Sequence, residues 1–204
     1  MRVAFGLKAH CGWAVLVVVG VAGGEHRIVD RRRIELVEGQ EAQQAKQPYH
    51  AAAGLDASDA RDLVKRATEA ARRVAVRQIR AVVKRSRDSG HDVAACAVLV
   101  PEPMPDWSTG QILAVHFRMH KAEGALFPDA LVRAAELCGL AVTAIPQKQL
   151  AQHAVNLLAT ELDGLTLKVA TLGKSVGPPW GSDQKNAALA ALTVLQGRCQ
   201  DAAL

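Results

Sequence analysis

The sequence predicts an α/β fold. A mixed sheet opens as a three-strand antiparallel meander, continues as helix–strand–helix–strand–helix, and carries helices on both faces. Two observations predict it. Three strand-like segments begin the chain with only short glycine-containing turns between them. Each later run of strand length is separated from the next by a stretch of helical periodicity, which implies parallel crossovers.

Residues 2–9 alternate, with Val3, Phe5 and Leu7 on one face. Residues 13–21 are apolar on both faces, as in a strand covered on both sides. Following Arg2 and Lys8, this run could also pass for a signal peptide. Its valines, the strand-like segment before it and the turn after it favour a buried strand, and it is too short to span a bilayer. Gly23-Gly24 suits a two-residue hairpin, whose turn requires positive φ. Residues 25–37 form a third strand, with Ile28, Ile34 and Leu36 expected on one face and Arg27, Arg31 and Arg33 on the other.

Residues 38–56 read as a polar excursion with little fixed structure, pinned by Tyr49 and His50 after Pro48. Asp56 and Ser58 are candidate caps for a long helix over 59–86, whose apolar residues recur at helical spacing. Gly90 ends it, and 91–100 is a fourth strand. After a loop over 101–110, a helical pattern covers 111–138, interrupted and kinked at Pro128. Residues 141–145 form a fifth strand and 147–162 a helix. Residues 163–181, with Gly173, Gly177, Pro178 and Pro179, read mainly as a loop anchored by Trp180. A last helix over 183–196 follows Ser182 as cap. The whole chain, 1–204, is expected to be one domain.

With 204 residues the chain can bury a real core, and because aromatics are only 3% that core must be mostly Ala, Val and Leu. The formal charge of +5 and pI ≈ 9.2 are compatible with an anionic partner. Cys11, Cys96, Cys138 and Cys199 show neither a C-x-x-C pair nor metal-site spacing, which points to reduced thiols and a cytoplasmic protein. No membrane partner is expected.

The order of elements resembles the ribonuclease H-like superfamily, and the local sequence resembles its Holliday-junction resolvase (RuvC-type) branch. The resemblance is carried by Gly6-Leu7-Lys8, by Gly12-Trp13-Ala14 entering the second strand, by the long helix and fourth strand, and by 121–142. The last helix adds Asp183 and Asn186 leading into Ala187-Ala188-Leu189-Ala190. That branch implies a carboxylate cluster holding two Mg²⁺ or Mn²⁺ ions that activate water and stabilise a leaving oxygen. In this chain Lys8 stands at the first-strand aspartate position. The fourth-strand acid would fall near Ala97, with Glu102 as the available substitute, and the last-helix pair is Asp183 with Asn186. The resemblance therefore implies a RuvC-like domain with degenerate catalytic positions at Lys8, Glu102, Asp183 and Asn186, and lost two-metal nuclease activity.

Three other features carry chemistry. On the long helix, Arg66, Arg73, Arg77, Arg80, Lys84 and Arg87, at spacings of seven, four, three, four and three, form one basic stripe. With Lys8 they are the candidate nucleic-acid or anion-binding residues. The plainer account is a solvated face of an amphipathic helix, and the lack of interleaved aromatics argues against single-strand stacking. His116, His120 and Glu123 can share a helical face and are the candidate ligands for a divalent metal, set against a solvated polar face. On the fold analogy they would meet Lys8, His10 and Asp183 in one pocket. Gly173-Lys174-Ser175 resembles the end of a phosphate loop, but Lys168 stands where its first glycine is required.

The leading expectation is a binding module for nucleic acid or another anionic partner, not an active nuclease. The alternative is a hydrolase using His116, His120 and Glu123 as a metal or acid–base cluster. No cofactor is required beyond that candidate metal, and a homodimer through Ala- and Val-rich helix faces is a third option.

Overall fold

The computed structural model describes residues 1–39 and 42–201, with side chains described for 1–39 and 44–196. Cys199 therefore lies outside the described side chains. Strands β1 (Arg2–His10), β2 (Trp13–Ala22), β3 (Glu25–Glu35), β4 (Asp92–Val100) and β5 (Val142–Pro146) form one sheet in the order β3-β2-β1-β4-β5. β1 and β3 each pair antiparallel with β2. β4 pairs parallel with β1, and β5 parallel with β4. Residues 13–22 are thus a strand paired along both edges, with Leu16, Val17, Val18 and Val19 fully buried.

Period-two alternation sends the two sets of β-strand side chains into separate cores. Val3, Phe5 and Leu7 join Leu16, Val18, Cys96 and Val98 on one face. That face is covered by α3 (Ala57–Asp88) and α5 (His116–Leu137). Ala4, Val15, Val17, Ala97 and Leu99 face the other way. There they meet α6 (Leu150–Leu158), α7 (Leu162–Lys174) and α8 (Ser182–Asp201). α8 lies directly on the sheet, and its alanines 187, 188, 190 and 191 allow close approach.

Six sequence expectations change. A bulge at Val29 adds one residue to β3, so Ile28 packs with the α8 core while Ile34 and Leu36 pack with the α3 core. The arginines divide accordingly: Arg27 sits opposite Gly20, and Arg31 and Arg33 sit opposite Val17 and Val15. The 38–56 segment holds two short helices, α1 (Ala42–Lys46) and α2 (Pro48–Ala52); buried Pro48 and Ala52 fasten α2.

The 111–138 pattern breaks at Ala114–Val115, between α4 (Thr109–Leu113) and α5, while α5 runs through Pro128. The helix expected over 147–162 is a short 3₁₀ turn, Gln147–Gln149, followed by α6, which ends at Ala159 with φ 46°. The expected loop over 163–181 is largely α7. Its Leu165, Val169 and Leu172 are buried at helical spacing, and Gly173 leaves room for the Trp180 ring rather than ending the helix. Finally, Ser182 is the first residue of α8, and the N–H of Gly181 before it donates to Gln184 Oε1 at 2.9 Å.

Candidate functional site

Gly6 sets the geometry of the strand-end site. A Cβ on residue 6 would overlap the Ala187 carbonyl, so glycine lets α8 rest on β1 at that point. One helical turn before Ala187 lies Asp183, and two residues beyond Gly6 on the same face lies Lys8. These two steps are nearly equal, about 5.4 Å along a helix and about 6.8 Å along a strand, so the side chains meet. Lys8 Nζ is 2.7 Å from Asp183 Oδ1, with the lysine side chain 13% exposed.

Asp183 also accepts from His10, whose Nε2 lies 2.9 Å from Oδ2. The His10 ring stacks on Trp13 at 4.2 Å between centroids, and the Arg33 guanidinium covers the same indole at 4.1 Å. Partial burial pushes the Asp183 carboxyl up, but Lys8 and His10 outweigh that and hold it below its ordinary value. Asp183 in the first turn of α8 also complements the helix dipole. Beside Lys8 on β4 is Leu99, two residues beyond the Ala97 expected there from sequence. Asn186 is half-buried on α8. Glu102 is exposed beyond the end of β4 and lines a cleft of ≈ 460 Å³ with His120, Lys121 and Lys148.

The single pocket expected from Lys8, His10, His116, His120, Glu123 and Asp183 does not form as such. Lys8 and His10 point to the α8 face, whereas α5 packs on the opposite face, so the sheet separates the two groups. His116, His120 and Glu123 do lie together, joined by His50 of α2, which the sequence marks only as a tether. Glu123 is buried at 3% exposure. Its Oε1 accepts from the backbone N–H groups of Tyr49 (3.1 Å) and His50 (3.0 Å), and its Oε2 lies 2.8 Å from His50 Nδ1. His50 Nε2 is 3.4 Å from His116 Nε2, and one ring nitrogen from each of His50, His116 and His120 can be chosen so that all three lie within 4.8 Å of one another. No local signal could have found His50, which is 66 residues from His116 and joined to it only by the tertiary fold.

The stripe residues Arg66, Arg73, Arg77, Arg80, Lys84 and Arg87 of α3 are all exposed. Arg77 pairs with Glu38 and Lys84 with Asp88; among the described residues, Arg66, Arg73 and Arg87 form no ion pair. Arg31 donates to the carbonyls of Gly177, Pro178 and Pro179, and Trp180 Nε1 to Val169 O at 3.2 Å, which ties down the loop before α8.

A meander, two parallel crossovers and a terminal helix laid over the first strand make up a ribonuclease H-like α/β fold of the RuvC type. Among solved structures the chain is similar to the RuvC of Thermus thermophilus, with a TM-score of 0.52 and 16% identity over 97% of this chain and 96% of that one. It also resembles Thermus thermophilus RuvC in complex with a Holliday junction substrate, with a TM-score of 0.49 and 17% identity over 98% and 96% of the two chains. No protein-family model matches the sequence, and no curated protein matches it.

Proposed function

We propose that this chain is a RuvC-like nucleic-acid-binding protein in which an ion pair replaces the two-metal nuclease centre. The observation that carries the reading is the Lys8–Asp183 pair at 2.7 Å. Its ammonium takes up the carboxylate charge that a hard divalent cation would need. A divalent ion about 4 Å from that ammonium would meet about 8 kcal/mol of repulsion at an effective dielectric of about 20. Leu99 beside Lys8 adds no oxygen ligand, and Glu102 lies beyond the strand on an exposed loop.

Binding is assigned to α3, whose Arg66, Arg73, Arg77, Arg80, Lys84 and Arg87 present charge over a helix of 32 residues. Arginines along a helix contact phosphates without reading sequence, so affinity should fall steeply with salt. The test is fluorescence anisotropy with single-stranded, duplex and four-way-junction DNA across a salt series, beside a cleavage assay in Mg²⁺ and Mn²⁺. Salt-sensitive binding that is lost on charge reversal at Arg73, Arg77 and Arg80, without cleavage, is the expected result. Binding indifferent to those changes removes α3 from the proposal. Metal-dependent cleavage abolished by Asp183→Ala overturns the loss of the nuclease centre.

A further inference from the structure

We infer that His50, His116 and His120 form a binding site for a zinc-type divalent transition-metal ion, with Glu123 positioning His50 and one coordination position left to water.

The site is assembled from two elements far apart in sequence. His116 opens α5 and His120 stands one turn later, so both imidazoles project from the same side. His50 comes from α2, a helix whose Gln47 cap makes no side-chain hydrogen bond. Glu123 supplies what that helix lacks: one carboxylate oxygen receives the N–H groups of Tyr49 and His50 in its first turn. The other oxygen faces His50 Nδ1 at 2.8 Å. An ionised carboxylate only accepts, so Nδ1 carries the proton and the lone pair is on Nε2, the atom turned toward His116. A buried carboxylate that orients an imidazole from behind and raises its basicity is the arrangement that prepares histidine for a metal.

The distances agree. Metal–nitrogen bonds of about 2.0–2.1 Å in a tetrahedron put neighbouring nitrogens about 3.3 Å apart. His50 Nε2 and His116 Nε2 are 3.4 Å apart, and one ring nitrogen from each of the three histidines can be chosen so that all lie within 4.8 Å of one another. The exposed His116 and His120 side chains can close the remainder by rotating, without disturbing the core. Imidazole favours zinc, copper, nickel or iron over magnesium or calcium. The charge balance points the same way. Glu123 is buried with two amides and an imidazole as its hydrogen-bonding partners, and a cation one imidazole away would offset its charge. Three protein ligands leave a fourth position, and the exposure of His116 and His120 opens it to solvent.

The experiment uses the untagged full chain, stripped with chelator and titrated with Co²⁺ while visible absorption is recorded, then with Zn²⁺ in competition. The inference expects one Co²⁺ per chain, a spectrum of low coordination number, and displacement by Zn²⁺. His116→Ala and His120→Ala, both at exposed positions, should each weaken binding by about 100-fold or more while the thermal melt of the metal-free protein is unchanged. Glu123→Gln should weaken it about 10–100-fold, the range for a partner that orients a ligand from behind. Because Glu123 also caps α2, its variant is judged only beside a circular-dichroism spectrum matching the parent; the two histidine variants carry the test regardless. Absence of saturable binding, or binding unaltered by His120→Ala, overturns the inference. Charge reversal on α3 should leave Co²⁺ binding intact, which separates this site from nucleic-acid binding.

Discussion

The Ala187 carbonyl lies where a Cβ of residue 6 would stand. This contact sets the separation of α8 from β1 and hence the meeting of Asp183 with Lys8. Both obstructing atoms belong to backbone, so no rotamer change can relieve them. Gly6→Ala should force α8 outward and cost about 3 kcal/mol, the upper part of the range for overpacking. Urea denaturation measures the loss. A change below about 1 kcal/mol would show that α8 yields easily.

Asp183→Ala leaves a largely buried ammonium at Lys8 without its carboxylate. The pair lies between fully exposed and fully buried, so the cost should be about 2 kcal/mol.

The acid dependence has a definite sign. Lys8 and His10 lower the Asp183 pKa below its ordinary 3.8 despite burial. Its stabilisation is therefore present above that value and disappears as pH falls through the folded-state pKa. The stability gap between parent and Asp183→Asn should narrow on acidification from about pH 5 to about pH 2. A gap that widened over this range would contradict the assignment.

Arg31 joins β3 to the three carbonyls before Trp180. Arg31→Ala should cost about 2 kcal/mol, since hydrogen bonds from a charged donor exceed neutral ones. The change should appear first as faster amide exchange at Gly177, Trp180 and Gly181. Equal exchange in parent and variant would show that Trp180 holds the loop alone.

The thiols should separate by reactivity. Complete burial, with a smaller contribution from Cys138, pushes Cys96 up to about 12, so it should resist alkylation until the chain unfolds. Cys11 is exposed, and its thiol is raised by partial enclosure and then by the charge of Glu123. Glu123→Gln should therefore lower the Cys11 pKa and speed its alkylation near neutral pH, as followed by mass spectrometry. Native Cys96 labelling as fast as Cys11 would contradict this.

Much of the sheet was legible in the sequence because its signals are local. Val3, Phe5 and Leu7 state an alternation, Gly23-Gly24 a hairpin, and the apolar spacing from Val64 to Val83 a helix. Helix α7 was also written in the spacing of Leu165, Val169 and Leu172, but its glycines obscured it; Gly173 proved to be a seat for Trp180. The Val29 bulge was not legible, since a single inserted residue leaves the composition of a strand unchanged while reversing its faces.

By itself, then, the sequence determined the element types, the mixed sheet and the presence of Lys8 where the resemblance implies an acid. Those properties depend on periodicity and identity over a few residues. Only the tertiary structure decided that Lys8 meets Asp183, that α5 lies across the sheet from them, and that His50 completes a group with His116 and His120. These are encounters between residues 66 to 175 positions apart, set by which face each strand turns and how closely each helix can approach it.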